Sequence, residues 1–241
     1  MKMRIITSLR NHSFIILLMS FCGFAQAVSV SVPGNANPYL AGMPDGSTAP
    51  PDQAPDQSPI EVKGLSLSTG GILTFSGAIG GVSNTPACVD TNCSSIDGNV
   101  YNGTLFWDHE AGAQNGISDI RAPINSLIGV FLTDSVPNLS PAPAGLDFQT
   151  FGLNFTTLSP QIQQVFFIGD GMTSGNVIQQ FLIPDAATRL FLGTMDGTEW
   201  VNNSGAISIH VAQAIPEPEI YMMLLAGLGL MAALSRRRRI S

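Results

Sequence analysis

The segment 196–205 carries the densest set of oxygen-bearing side chains in the sequence, Asp-Gly-Thr-Glu-Trp-Val-Asn-Asn-Ser-Gly. Hard cations such as Ca²⁺ take carboxylate, amide and backbone carbonyl oxygens, and a loop can bring several of these together. Asp196, Asn202 and Asn203 are therefore candidate side-chain ligands of a calcium ion. Asp-Gly and Asn-Asn-Ser-Gly could equally form the turns of a long hairpin. Composition alone leaves both interpretations open.

A second polar loop contains Asp108-His109-Glu110, followed by Gln114 and Asn115. His109 and Gln114 are candidates for contact with a ligand. Polar residues also mark ordinary surface loops, so a solvated loop with no binding role is the alternative.

Short β-like runs separated by turn residues must position these two loops. Several runs alternate, for example Ile207, Ile209 and Val211 against Ser208 and His210, which is the period of a half-buried strand. No amphipathic helix of useful length occurs between residues 60 and 213. The pattern predicts an all-β fold, an antiparallel β-sandwich or jelly roll. The predicted strands are 60–67, 72–75, 100–107, 126–132, 163–168, 177–183, 189–192 and 206–211.

The closing segment of this domain resembles that of the PA-IL-type galactose-binding lectins, a small β-sandwich family. The resemblance lies in 190–193, Asp196, the Asn-Asn-Ser-Gly at 202–205 and the strand 207–211. Residues 64–75 and, more faintly, 122–130 extend it over the body. The resemblance implies a galactose-binding-like sandwich with a bound Ca²⁺.

The same resemblance implies a ligand set for the ion. Asp196 matches the calcium carboxylate, and Asn202 and Asn203 match the two asparagines of the family. Glu199 falls where the family supplies a backbone carbonyl, and a further carbonyl is expected near Ser83. The turn between Asp196 and Asn202 is one residue shorter than in the lectins, which favours the alternative of a structural surface protein that kept the fold without binding sugar.

In these lectins the calcium ion coordinates two sugar hydroxyls while neighbouring side chains bind the ring. The resemblance thus implies a carbohydrate ligand, an exopolysaccharide or galactose-like glycan, with His109, Gln114 and Trp200 as candidate contacts. Trp107 and Tyr101 are further candidate aromatic platforms. A tryptophan in a loop can instead pack its indole over a neighbouring strand, so the role of Trp200 stays open.

The charges divide the chain into three parts. The whole chain carries a net charge of −7, but residues 28–215 contain 3 basic residues (Lys63, Arg121 and Arg189) against 15 acidic ones, a net charge of −12. Phosphate binding needs clustered Lys and Arg, so nucleic-acid binding is excluded. An acidic body favours cations or neutral ligands.

The N-terminus has the pattern of a secretory signal peptide. Basic residues precede an apolar run from Phe14 to Phe24, and Ala-Gln-Ala at 25–27 fits signal peptidase. We expect residues 1–27 to be a signal peptide. Residues 28–59 contain seven prolines and are predicted to be a mostly extended lead-in segment. The patch 38–43 is more apolar than a linker needs, and packing on the domain that follows is the alternative for it. A β-sandwich domain is then expected at 60–213.

The C-terminus has three parts in a fixed order: Pro216-Glu217-Pro218, an apolar run from Ile220 to Leu234, and four arginines. This order resembles the PEP-CTERM sorting signal of exopolysaccharide-producing bacteria, and we assign it to residues 214–241. The resemblance implies a short transmembrane helix, cleavage near the Pro-Glu-Pro by an exosortase, and passage from the inner membrane to the cell surface or matrix. The arginines are Arg236, Arg237, Arg238 and Arg239.

Two cysteines remain after export, Cys88 and Cys93, separated by four residues. In an exported protein such a close pair most simply forms a disulfide. A zinc site would need more Cys or His ligands than the sequence supplies nearby. Paired cysteines leave no free thiol, and no Gly-x-Ser-x-Gly elbow occurs, so we expect no enzyme. A carboxylate pair for glycoside hydrolysis stays open as the alternative, because the spacing of such a pair is three-dimensional.

Overall fold

The computed structural model describes residues 26–52, 57–67, 69–85, 95–214 and 223–231. The body, Ala25–Pro216, is one compact unit, and residues 223–231 belong to a second unit. In the described part of the body, helical structure is limited to short 3₁₀ turns and one four-residue helix, α1 (Phe148–Phe151). The strands are β1 (Gln26–Pro33), β2 (Ile60–Glu61), β3 (Ile72–Ser83), β4 (Phe106–Asp108), β5 (Ile120–Pro123), β6 (Leu127–Leu132), β7 (Leu146–Asp147), β8 (Thr157–Leu158), β9 (Val165–Phe167), β10 (Gln180–Leu182), β11 (Arg189–Thr194) and β12 (Ser204–Ala214).

The strands form three sheets, in the orders β1-β12-β3-β10-β8, β2-β11-β6-β9 and β4-β5-β7. Most pairs are antiparallel; β10 with β8 and β5 with β7 are parallel. The all-β prediction is confirmed, and the arrangement is consistent with a sandwich. Each of the eight predicted strands overlaps an observed one.

Phenylalanine rings fill the space between the two larger sheets. Phe181 of β10 packs on Phe166 of β9, with ring centroids 5.6 Å apart, and Phe166 stacks on Phe131 of β6 at 5.3 Å. Phe75 of β3 meets Phe181 edge-on at 5.1 Å. All four side chains are fully buried. These aromatic contacts join the sheets because each ring removes a large apolar area from water.

Of the predicted lead-in segment, the described residues from 28 to 52 are part of the body rather than a segment that precedes it. β1 pairs antiparallel with β12 along its whole length, from Gln26 opposite Gln213 to Pro33 opposite Ala206. Val30 and Val32 enter the core, and Tyr39 and Leu40 follow them there. The alternation Val-Ser-Val-Ser-Val at 28–32 predicts this strand, although the proline-rich composition of the segment obscures it.

The segment between β11 and β12 crosses from one sheet to the other. β11 pairs with β6 and β2 in the four-stranded sheet, whereas β12 pairs with β3 and β1 in the five-stranded sheet. The hairpin alternative for residues 196–203 is therefore wrong. We call residues 195–203 the crossover segment. Because the crossover segment joins two sheets, its conformation depends on contacts with those sheets rather than on backbone pairing with a neighbouring strand.

Several sequence predictions fall on the termini and on one loop. The signal peptide up to residue 25, the pair Cys88 and Cys93, the Pro216-Glu217-Pro218 motif and the arginines 236–239 lie outside the described residues. Of the predicted transmembrane helix at 220–234, residues 223–231 are helical. Among the described residues, no helix has both the length and the apolarity needed to span a bilayer.

We expect Val32→Ala to lower the free energy of unfolding by about 2 kcal/mol, because it removes two buried methyl groups and leaves a cavity. The Val32 side chain is fully buried. Urea titration of the body measures the change. Ser31→Ala, on the exposed face of the same strand, is the matched control and should change stability by less than about 0.5 kcal/mol. Equal effects of the two substitutions would contradict the packing of β1.

Candidate functional site

Trp200 anchors the crossover segment in the core. Its side chain is 0% exposed and its Nε1 donates a hydrogen bond to the Thr194 carbonyl at 2.9 Å. The indole packs against His109 and Tyr39, with ring centroids at 5.4 and 5.8 Å. The prediction that Trp200 contacts sugar is therefore wrong, because no face of its ring is available to a ligand. The indole of Trp200 packs inside the protein, as the alternative interpretation of this residue predicts.

The polar side chains of the crossover segment line an open cleft of about 280 Å³, which we call the acidic cleft. Its lining includes Asp196, Glu199 and Asn202. Trp107 and Tyr101 also line it, with their ring centroids 5.8 Å apart. The structure thus brings three predicted ligand residues together with the two other predicted aromatic platforms. The remaining lining residues are Asn84, Ile124, Gly197 and Thr198.

Asp196 is a buried carboxylate in this cleft, only 6% exposed. Burial raises the pKa of Asp196 to about 6, and the charge of Asp52 acts in the same direction. Hydrogen bonds from the Asn203 amide and from the backbone N–H groups of Gly197 and Thr198 lower this pKa and partly offset the effect of burial. The Gly197 N–H lies 2.6 Å from Asp196 Oδ1. The Asp196 carboxylate is thus poorly solvated when it is charged, and a bound cation would stabilise that charged form.

Two asparagines near this carboxylate have amide oxygens without a hydrogen-bond donor: Asn202 lines the cleft with Asp196, and Asn203 donates to Asp196 through its amide N–H. Oδ1 of Asn202 and Oδ1 of Asn203 are both buried and without a partner. The amide nitrogens are used: Asn202 Nδ2 donates to Glu199 Oε2 at 3.3 Å, and Asn203 Nδ2 to the Gly34 carbonyl at 3.2 Å. Buried acceptors of this kind are rare because each carries a desolvation cost. A carboxylate with two unsatisfied amide oxygens is a donor set that fits a hard cation.

The other two predicted ligand positions lie at the margin of this set. Ser83 ends β3 directly opposite Ser204, next to Asn203, and its hydroxyl lies 3.0 Å from that of Thr85. The Glu199 side chain is exposed. No group of three or more His, Cys, Asp or Glu side chains suited to a metal ion occurs in the described ranges. The candidate set therefore depends on amide and carbonyl oxygens, which sequence spacing identifies poorly.

Asp52 is a functional candidate that sequence reasoning missed. It is 3% exposed, and its Oδ2 accepts a hydrogen bond from the Val201 N–H at 3.1 Å. Val201 lies in the 3₁₀ turn Trp200–Asn202, whose N-cap residue Glu199 makes no side-chain cap. Asp52 thus caps, from a distant segment, the turn that presents Asn202. Only the pairing of two segments far apart in sequence reveals this role.

Three asparagines from separate segments meet behind the acidic cleft, and none of them was singled out in the sequence. Asn125 Nδ2 donates to Asn84 Oδ1 at 3.1 Å and to Asn99 Oδ1 at 2.7 Å. Asn125 has a left-handed backbone, with φ of 66°, and its N–H donates to the Met195 carbonyl. The Asn84 amide oxygen accepts a hydrogen bond from Asn125, and this bond fixes the orientation of the Asn84 amide at the wall of the acidic cleft.

The loop 109–117, which contains the predicted sugar contacts His109 and Gln114, packs on the proline-rich segment. Gln114 Nε2 donates to the Pro50 carbonyl, and Asn115 Nδ2 donates to the Tyr39 carbonyl at 2.9 Å. His109 is 2% exposed and stacks on Tyr39 at 4.2 Å, and burial lowers its pKa. Gln114 is therefore engaged within the body. His109 is among the residues that line a separate cleft. The contact of His109 with sugar stays a prediction.

Comparison with known proteins bears on the C-terminus. The family description "PEP-CTERM protein-sorting motif" matches residues 214–239. No curated protein and no solved structure matches this chain. The chain therefore carries a PEP-CTERM motif, which indicates an exported, surface-directed protein processed by an exosortase, while no lectin homologue is shown.

The raised pKa of Asp196 predicts how metal-free protein responds to pH. A carboxyl whose folded pKa is near 6 rather than 3.8 stabilises the fold at acid pH, and this contribution is lost as pH rises from about 4 to 6, by about 3 kcal/mol. We expect Asp196→Asn to flatten this decline in urea titrations with EDTA. Asp185→Asn, at an exposed aspartate, is the control. A wild-type decline unchanged by Asp196→Asn would contradict the assignment.

The cap supplied by Asp52 predicts a graded effect of substitution. Asp52→Ala should destabilise the body by about 1 kcal/mol and speed hydrogen exchange at the Val201 N–H, because the turn loses its cap. Asp52→Asn keeps a capping oxygen and should preserve the protection. Amide exchange followed by NMR measures both. The Gln57 amide, oriented so that it donates to Asp52, also accepts from the Val201 N–H at 3.0 Å. Unchanged protection of Val201 in the double variant Asp52→Ala/Gln57→Ala would therefore show that the cap is not formed.

Proposed function

We propose that the exported body is a non-catalytic binding module that holds a calcium ion in the acidic cleft and engages carbohydrate of the cell surface or matrix. The observation that carries this proposal is the pair of unsatisfied buried oxygens of Asn202 and Asn203 beside the desolvated carboxylate of Asp196. The sorting motif supports it, because it directs the protein to the place where such a ligand is found.

The proposed ligands of the ion are the carboxylate of Asp196 and the amide oxygens of Asn202 and Asn203, with backbone carbonyls near Glu199 and Ser83. A bound Ca²⁺ would offer open coordination positions to hydroxyl oxygens of a sugar. Asp52 and Trp200 keep the crossover segment in place from outside the ligand set. Extracellular calcium modules bind the ion at about 10⁻⁴ to 10⁻³ M, and we expect affinity in this range.

Two aromatic side chains of the acidic cleft, Trp107 and Tyr101, suit the apolar face of a sugar ring. Trp107 is partly exposed, and its indole orientation is fixed by a hydrogen bond from Nε1 to the Thr104 carbonyl at 3.1 Å. Gly197 leaves room for the Trp107 indole, since a Cβ at position 197 would lie 3.2 Å from Trp107 Cε3. A rigid aromatic wall reduces the entropy lost on binding.

The distribution of charge favours a neutral glycan. The three basic residues of the body are engaged elsewhere: Lys63 pairs with Glu61, Arg121 pairs with Asp108, and Arg189 donates to the carbonyls of Thr133 and Ser135. The cleft itself carries Asp196 and Glu199. An anionic polysaccharide would meet repulsion there unless several cations intervened.

Calcium should stabilise the body against heat. At about 10 mM, which is tenfold to a hundredfold above the expected dissociation constant, binding contributes about 1.4 to 2.7 kcal/mol and raises Tm by several degrees. Differential scanning fluorimetry of residues 28–215 with calcium or with EDTA measures the shift. Asp196→Ala and the double variant Asn202→Ala/Asn203→Ala should abolish it.

Asp185→Ala removes an exposed carboxylate outside the cleft and should leave the shift intact. Magnesium at the same concentration tests whether the effect is specific, since Mg²⁺ demands a tighter octahedral shell. No calcium shift in the wild type would rule out the metal site. The protein would then be a structural surface module, the alternative that the shortened turn favours.

A further inference from the structure

A second cleft adjoins the acidic cleft and shares one wall with it. It has a volume of about 450 Å³ and is lined by Thr104, Phe106, Trp107, Asp108, His109 and Glu110. Trp107 lines both clefts. The Glu110 N–H donates to the Gly197 carbonyl at 2.8 Å, so the backbone walls of the two clefts are joined directly. We call the second cleft the adjoining cleft.

The shared wall is rigid. Trp107 is the middle residue of β4, where it pairs with Ala122 of β5. Its Nε1 is bonded to the Thr104 carbonyl, and Thr104 and Tyr101 exchange backbone hydrogen bonds at 3.0 and 2.9 Å. The indole therefore stands between the clefts in one orientation, and a ligand does not have to order it.

His109, which lines the adjoining cleft, has a ring nitrogen without a hydrogen-bond partner. His109 Nδ1 lies 2.9 Å from the Gly112 carbonyl, so it is Nδ1 that carries the proton and Nε2 that has a free lone pair. Nε2 is buried and has no hydrogen-bond partner. An acceptor of this kind is satisfied by a hydroxyl or N–H of a ligand.

The charge of the adjoining cleft limits what that ligand can be. Glu110 is exposed, and Asp108 is paired with Arg121. Arg121 balances the charge of Asp108, so the carboxylate of Glu110 is the lining charge that repels uronic acids and sulfated or phosphorylated sugars. Hydroxyl groups of a neutral sugar can donate both to this carboxylate and to His109 Nε2.

We infer that the ligand is a neutral oligosaccharide that passes over Trp107 and occupies both clefts, so that a single sugar fills only half of the site. This inference rests on the proposed function, because the acidic cleft supplies the cation-dependent half. The adjoining cleft adds affinity for the next sugar along the chain. The protein would then recognise an internal stretch of a polysaccharide rather than its terminal residue alone.

A printed array of neutral and acidic mono-, di- and oligosaccharides tests this in calcium buffer with wild-type residues 28–215. We expect neutral oligosaccharides to bind at least about tenfold more tightly than the matching monosaccharides, and acidic chains not to bind. Thr104→Trp places an indole in the adjoining cleft from an exposed position and should reduce oligosaccharide binding to the level of the monosaccharide. Thr156→Trp, at an exposed threonine outside both clefts, should bind like the wild type.

The outcomes separate the two proposals. Equal binding of a monosaccharide and its oligomers by the wild type would overturn the inference and leave calcium-dependent sugar binding in place. Preference for acidic chains would overturn it as well. Binding of no glycan, with or without calcium, would overturn the proposed function and the inference together. The length comparison in the wild type decides the question even where Thr104→Trp fails to fold.

Discussion

The burial of Trp200 is the contact on which the arrangement of the site depends. β11 and β12 belong to different sheets, so the chain between them has no partner strand to hold it. The indole enters the core there, bonds to the carbonyl of Thr194 and packs against Tyr39 and His109. One side chain thereby ties the crossover segment to the N-terminal segment and to the 109–117 loop. Burying an aromatic ring of this size is among the largest single apolar contributions available to a fold.

The buried indole of Trp200 holds the crossover segment in place, so neighbouring polar groups remain there without a full set of hydrogen bonds. Asp196 is desolvated, and the amide oxygens of Asn202 and Asn203 lack donors. Each of these groups costs free energy in the absence of a ligand. Buried polar groups without hydrogen-bond partners persist where the surrounding contacts hold them in place. Such unpartnered groups are typical of binding sites. Trp200, Asp52 and the Gly34 carbonyl supply that surrounding structure.

Part of this arrangement could be predicted from the sequence. The period of two in residues 207–211 identifies β12, and the concentration of oxygen-bearing residues identifies the crossover segment. The sequence cannot tell Trp200 from Trp107, since both are tryptophans beside acidic and polar residues, and only tertiary packing buries one and leaves the other at the cleft. Asp52 was missed because its partner, the Val201 N–H, lies 149 residues away. Strand β1 was missed because prolines dominate the composition that follows it.

On the proposal that the acidic cleft holds calcium, the concentration of the free ion would relate the cleft to the sorting motif. A site with one buried carboxylate and amide ligands has little negative charge to attract an ion, and affinity falls as the number of charged ligands falls. Such a site is too weak to fill where free calcium is scarce and suits the millimolar range in which extracellular modules operate. A module of this kind would bind its ligand only after export. The PEP-CTERM motif at residues 214–239 would then decide where the protein becomes competent to bind, as well as where it is delivered.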